Sequence, residues 1–141
     1  RIETNHLQHQ VTIEAPSYGQ EKWKHLGTAL AVIYPCLDEA FGRVPFEAIL
    51  AGSLPVLPEQ SGGAEYLKDI LPDCIYQTQD AESLAQTLRR IENLPREVRL
   101  AQIEKARAWV ESNLNWQPIS ERVLELYLEV THNKDFALSL A

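Results

Sequence analysis

The chain has 141 residues, 45% hydrophobic and 23% charged, which is enough for one buried core of ordinary globular composition. A formal net charge of −7 argues against nucleic acid or an anionic membrane as partner, since both repel an acidic surface. No apolar run reaches the ~18 residues of a membrane span, and the stretch after Arg1 lacks the charged-then-apolar pattern of a secretion signal, so the expected setting is cytoplasmic.

Taken in chain order, residues 1–10 have no apolar periodicity and no glycine and read as a polar segment. Residues 10–14 alternate through Val11 and Ile13 and predict a short strand. A loop over residues 15–19 follows, then a helix over 20–26 with Trp23 and Leu26 facing inward. The apolar run 29–34, bounded by Gly27 and Pro35, suits a strand buried on both faces. A helix then starts near Val44, because Pro45 fits a first turn, where its missing N–H costs nothing. Phe46, Ile49 and Leu50 give that helix an apolar stripe as far as Gly52.

Residues 55–57 predict a minimal strand, Gly62-Gly63 the start of a helix through about residue 70 with Glu65 in its first turn, and residues 74–76 the last strand. Asp80 is a good cap for a helix carrying Leu84, Leu88 and Ile91, ended by Asn93 and Pro95. The next helix spans 96–112, with Leu100, Ile103 and Val110 on one side, Trp109 beside them, and Arg99, Glu104, Lys105 and Arg107 on a solvated face. A closing helix follows the Asn115-Trp116-Gln117 segment, with Ile119, Val123, Leu126 and Val130 at helical spacing, Tyr127 nearby and Trp116 as a packing residue. Residues 132–141 are expected to fray.

The two cysteines, Cys36 and Cys74, make no disulfide framework and read as reduced packing residues. His6, His9, His25 and His132 form no metal-ligand pattern; the nearest, His6-x2-His9, lies in a polar stretch and reads as solvent-facing, so no metal is expected.

The alternation of strands and helices predicts an α/β protein, an open parallel sheet flanked by helices. In such sheets ligands collect beyond the carboxyl ends of the strands, where helix N–H groups favour phosphate. That places the loop between residues 34 and 44 at the functional edge, with Gly42 permitting close backbone approach. Glu47, expected in the first turn of the helix, can accept two hydrogen bonds from a ribose diol, and Glu39 faces whatever follows the phosphates. Each also has a bland reading, as a helix-terminus acid and a solvated loop charge.

The ordered set Glu39-x7-Glu47 with Phe41-Gly42 inside, Glu47-Ala48, Ala51-Gly52 and Pro55-Val56 resembles the donor-site signature of retaining GT-B glycosyltransferases, the group 1 or family 4 type. The resemblance covers residues 11–130 and implies a Rossmann-like donor domain, the C-terminal part of a GT-B fold lacking its first strands. It implies transfer of a sugar from a nucleotide-diphosphate sugar with retained configuration, with no cofactor beyond that substrate and usually no metal. On this resemblance Glu39 is the catalytic-site residue contacting the donor sugar, Glu47 holds the ribose hydroxyls, and Phe41, Gly42, Arg43 and Val44 approach the diphosphate and sugar through their backbone. Pro16, Ser17 and Tyr18, in a loop that touches the nucleobase in the family, and Gly62 and Gly63 are weak candidates, with ordinary turns the competing reading.

Several features depart from the family. Gly52-Ser53-Leu54-Pro55 is one residue longer than the usual link, Gly62-Gly63-Ala64-Glu65 is one residue tighter, Cys36 stands where serine is commoner, and Arg43 where an aliphatic residue is frequent. The basic loop that neutralises the diphosphate has no counterpart, nor does the acceptor domain, so the domain organisation reads as a polar segment (1–10), a partial nucleotide-sugar-binding domain (11–131) and a tail (132–141). The chain alone is expected to be inactive, and its parent to dock at the membrane periphery. An incomplete sheet leaves an edge through which copies can self-associate. The alternatives are a non-catalytic nucleotide-binding or interaction module derived from the domain and, ranked lower, a nucleotide-sugar 2-epimerase.

Overall fold

A computed structural model describes residues 2–132, and the expected α/β architecture is what it contains. The element order is α1 (Gly19–Thr28), β1 (Ala31–Ile33), α2 (Arg43–Ala51), β2 (Leu54–Pro58), α3 (Gly62–Leu67), a 3-10 turn (Pro72–Cys74), β3 (Ile75–Tyr76), α4 (Ala81–Asn93), α5 (Arg96–Asn113) and α6 (Trp116–His132). The three strands form a parallel sheet in the order β1-β2-β3. Ala31 to Ile33 pair with Leu54 to Val56, and Leu57 and Pro58 pair with Ile75 and Tyr76. All five residues of the central strand are buried. Two of them, Pro55 and Pro58, lack the N–H that a central strand normally contributes, which accounts for such short ladders.

The core lies where α2 and α5 cover the sheet. Ile49, Leu54, Val56, Leu57, Leu67 and Ile91 are fully buried there, joined by Ile103, Ala106 and Val110 from α5. α2 begins after Gly42 and carries Pro45 in its first turn, as its sequence predicts, and Gly52 ends it in the left-handed region at φ 103°. Asp80 caps α4, its carboxylate accepting from the N–H groups of Glu82 and Ser83 at 2.9 and 3.0 Å.

Two polar groups tie helices together. Ser53, buried, donates to the Leu26 carbonyl of α1 and shares its hydroxyl with the Ala29 carbonyl at 2.7 Å, so a residue of the link before β2 ties down the C-terminal end of α1. Arg107 was expected on a solvated face. It is half-buried, donating to Glu104 Oε1 at 2.9 Å and to the Leu50 carbonyl at 3.4 Å, and so places a cation at the carboxyl end of α2.

Other expectations fail for identifiable reasons. Residues 10–14 form no strand; Val11 and Ile13 are 41% and 83% exposed, and two apolar side chains in five supply too little burial to hold an unpaired segment on the sheet. Trp23 faces outward at 42% exposure, because α1 approaches α2 through Lys22 and through Gly27, where an added Cβ would lie 2.9 Å from the Ala51 carbonyl oxygen. β1 is only half-buried, with Ile33 exposed. Leu50 and Leu100 are also exposed, at the outer margins of their stripes. α6 forms where predicted, yet Ile119, Val123, Leu126, Tyr127 and Val130 are exposed and Trp116 is 82% exposed, so it is no packing residue here. The tail, from residue 133, lies outside the described residues.

Candidate functional site

The site is built on the loop between β1 and α2. Tyr34, just past β1, donates its hydroxyl to Glu39 Oε2, and this bond together with burial pushes the phenol up to about 12. Gly42 closes the loop at φ 71°, in the left-handed region, with its α-carbon so near the Tyr34 ring that a Cβ would lie 3.0 Å from Cε1. On the other side the start of α3 presses against the same loop. A Cβ on Gly62 would overlap the Ala40 carbonyl and sit 2.7 Å from the Glu39 carbonyl oxygen; one on Gly63 would lie 3.2 Å from the Phe41 carbonyl oxygen. The paired glycines therefore pack against another loop, and that loop carries Glu39.

Phe41 anchors the loop from within. Its ring stacks on Phe46 at 4.6 Å and meets Tyr66 edge-on at 5.3 Å, and Tyr66 in turn approaches Trp109 of α5 at 6.4 Å. Its side chain is thus committed to packing. Glu39 itself is exposed. The N-terminus of α2 has no side-chain cap, so its first N–H groups remain open, with Arg43 exposed and Val44 half-buried at its head.

Glu47 is the fifth residue of α2, one residue further in than a start near Val44 implied, because the helix begins at Arg43. Its carboxylate, 20% exposed, is paired through Oε2 with Lys22 Nζ of α1 at 2.9 Å. Oε1 makes no hydrogen bond among the described residues and stays open as an acceptor. Lys22 also lies 5.7 Å from the Trp23 ring centroid. It escaped the sequence reading because it sits 25 residues before its partner, with no motif joining them. Together these parts place two carboxylates, two cations and a set of free helix N–H groups around the carboxyl end of β1, an arrangement able to receive a charged phosphate beside a hydroxyl-rich group.

Across residues 1–109 the sequence matches the family of glycosyl transferases group 1. The chain belongs to that family. No curated protein and no solved structure matches it. The glycosyltransferase match takes in α1 to α4, the whole Glu39 to Glu47 region and most of α5, and α6 lies beyond it.

Within this glycosyltransferase chain the remaining candidates stand apart. Pro16 and Tyr18 are exposed and Ser17 half-buried in an irregular stretch before α1, and none of the three makes a hydrogen bond or ion pair to Glu39 or Glu47. Cys36 is half-buried in the site loop, whereas Cys74 is buried, its thiol pushed up to about 12 by desolvation; both are free. Among the described residues no cluster of histidine, cysteine and carboxylate groups could hold a metal ion, and no helix is long and apolar enough to cross a membrane.

Proposed function

We propose that this chain is the donor-binding part of a retaining GT-B glycosyltransferase of the family 4 type, taking a nucleotide-diphosphate sugar as substrate. The observation that carries the reading is the braced loop, in which Tyr34, Gly42 and Gly62 fix the backbone around Glu39 while α2 presents Glu47 just beyond it. A rigid loop at the carboxyl end of a parallel strand, followed by an uncapped helix, suits a diphosphate.

In this reading the diphosphate lies against the first N–H groups of α2 and the backbone from Phe41 to Val44, with Arg43 supplying charge. Glu47 accepts a ribose hydroxyl on Oε1 while Lys22 holds Oε2, which fixes the carboxylate's orientation. Glu39, oriented by the Tyr34 hydroxyl, contacts the sugar. Neither acid acts as a covalent nucleophile; the chemistry is stabilisation of the departing diphosphate, to which helix N–H groups and cations contribute. On this reading the nucleotide sugar enters as substrate, with no cofactor and no metal. The two free cysteines suit a cytoplasmic setting.

Equilibrium titration with UDP, GDP and ADP, beside inorganic pyrophosphate, tests this reading. Saturable binding of one nucleoside diphosphate well above pyrophosphate supports it. Equal, weak binding of all four would reduce the site to a phosphate patch and refute a donor pocket.

A further inference from the structure

A second concavity lies at the functional end of the sheet, outside the loop described above. Its volume is about 280 Å³. Pro35 borders it just past β1, Pro58 ends β2 and Tyr76 ends β3, so the carboxyl ends of all three strands open into one space. Leu37 and Leu84 add apolar wall, and the rim is formed by Gln79, Asp80 and Ala81 at the start of α4.

The polar groups here are few and specific. Tyr76 is 7% exposed as a residue, and its hydroxyl, which makes no hydrogen bond among the described residues, is not among the buried unpartnered atoms and so stays accessible to solvent or a ligand. Ala81 opens α4 and its N–H makes no hydrogen bond among the described residues either, because the Asp80 carboxylate serves the next two N–H groups. Gln79 holds a left-handed backbone at φ 60°, which turns the chain sharply at the rim.

Chemistry narrows the occupant. A phosphate is disfavoured, because the wall carries no cation and the rim carries the Asp80 carboxylate. A free sugar needs many hydrogen bonds, and of the eight lining residues only Tyr76, Gln79 and Asp80 carry polar side chains, the Asp80 carboxylate being already engaged in capping α4. Apolar cavities of roughly 150 Å³ already take up benzene, while drug-sized ligands need about 300 Å³ or more. A single ring with a short substituent lies between those bounds.

We propose that this cavity binds a small apolar ring carrying an oxygen acceptor, which takes the Tyr76 hydroxyl, and that it serves as the subsite for the apolar part of the sugar acceptor. The second half rests on the donor-site reading above. Pro35 and Leu37 belong to the loop that carries Glu39, so a ring seated against them is held beside the reacting sugar and bears on the same backbone.

The test is an NMR titration of the full chain with acetophenone, a ring with one carbonyl acceptor, and with ethylbenzene, its counterpart without oxygen. Saturable shifts at Tyr76, Ala81 and Leu84 are expected with acetophenone. Tyr76→Phe should weaken acetophenone about five-fold, the worth of one hydrogen bond, while leaving ethylbenzene unchanged. Ala81→Trp, at an exposed position on the rim, should block both. Shifts confined to α6, or equal acetophenone affinity in Tyr76→Phe, would overturn the cavity as a site. UDP binding without acetophenone binding refutes the cavity and leaves the donor reading standing; acetophenone binding without any nucleoside diphosphate keeps the cavity and refutes its assignment to a sugar acceptor.

Discussion

At Gly62 an added methyl would overlap the Ala40 carbonyl, backbone against backbone, with no side chain able to give way. Gly62→Ala should therefore cost about 1–3 kcal/mol, as overpacking does, and read out as a lower urea midpoint at unchanged slope. An unchanged midpoint would show that the α3 start does not brace the Glu39 loop. The two thiols differ in a way that alkylation can read. Burial raises Cys74 to about 12, so the neutral thiol is favoured in the folded state, and its contribution to stability is whole below about pH 9 and lost as pH rises towards 12. At pH 8 iodoacetamide should label Cys36 in the native chain and Cys74 only after unfolding. Equal native labelling of both would contradict the burial of Cys74.

Among the elements, α4 and α6 were equally visible as periodic apolar patterns, but only α4 is held in place by the fold. Asp80→Ala removes an acceptor from two helix N–H groups and should cost about 1 kcal/mol. Ile49→Ala, on the fully buried face of α2, should cost about 2–5 kcal/mol, whereas Leu126→Ser on α6 should stay within about 0.5 kcal/mol. Comparable losses at Ile49 and Leu126 in thermal unfolding would show that α6 is packed. Periodicity says which face of a helix is apolar and cannot say whether anything covers it, which is why α6 forms where expected while Trp116 does not pack. The same limit applies to residues 10–14, where alternation was present but a partner was not. The site loop was legible because Pro35, Gly42 and Pro45 mark its turns locally. Lys22 and the Arg107 contact to the Leu50 carbonyl were not, because those partners lie far away along the chain.

At the scale of the whole molecule, a three-stranded sheet with β1 at one edge leaves Leu30 and Ile33 exposed beside an unpaired strand edge among the described residues. Self-association through that edge is expected, read as a concentration-dependent mass in light scattering, and a monodisperse monomer across the range would contradict it. Donor binding by this chain is tested by a calorimetric titration of the chain and of Glu47→Ala with UDP, GDP, ADP and their common sugar conjugates. One base should bind the parent chain and lose most of its affinity in Glu47→Ala, since on the proposed function Glu47 is the carboxylate that takes the ribose. Binding that survives the substitution, or no binding to any of them, would contradict a donor site at this loop.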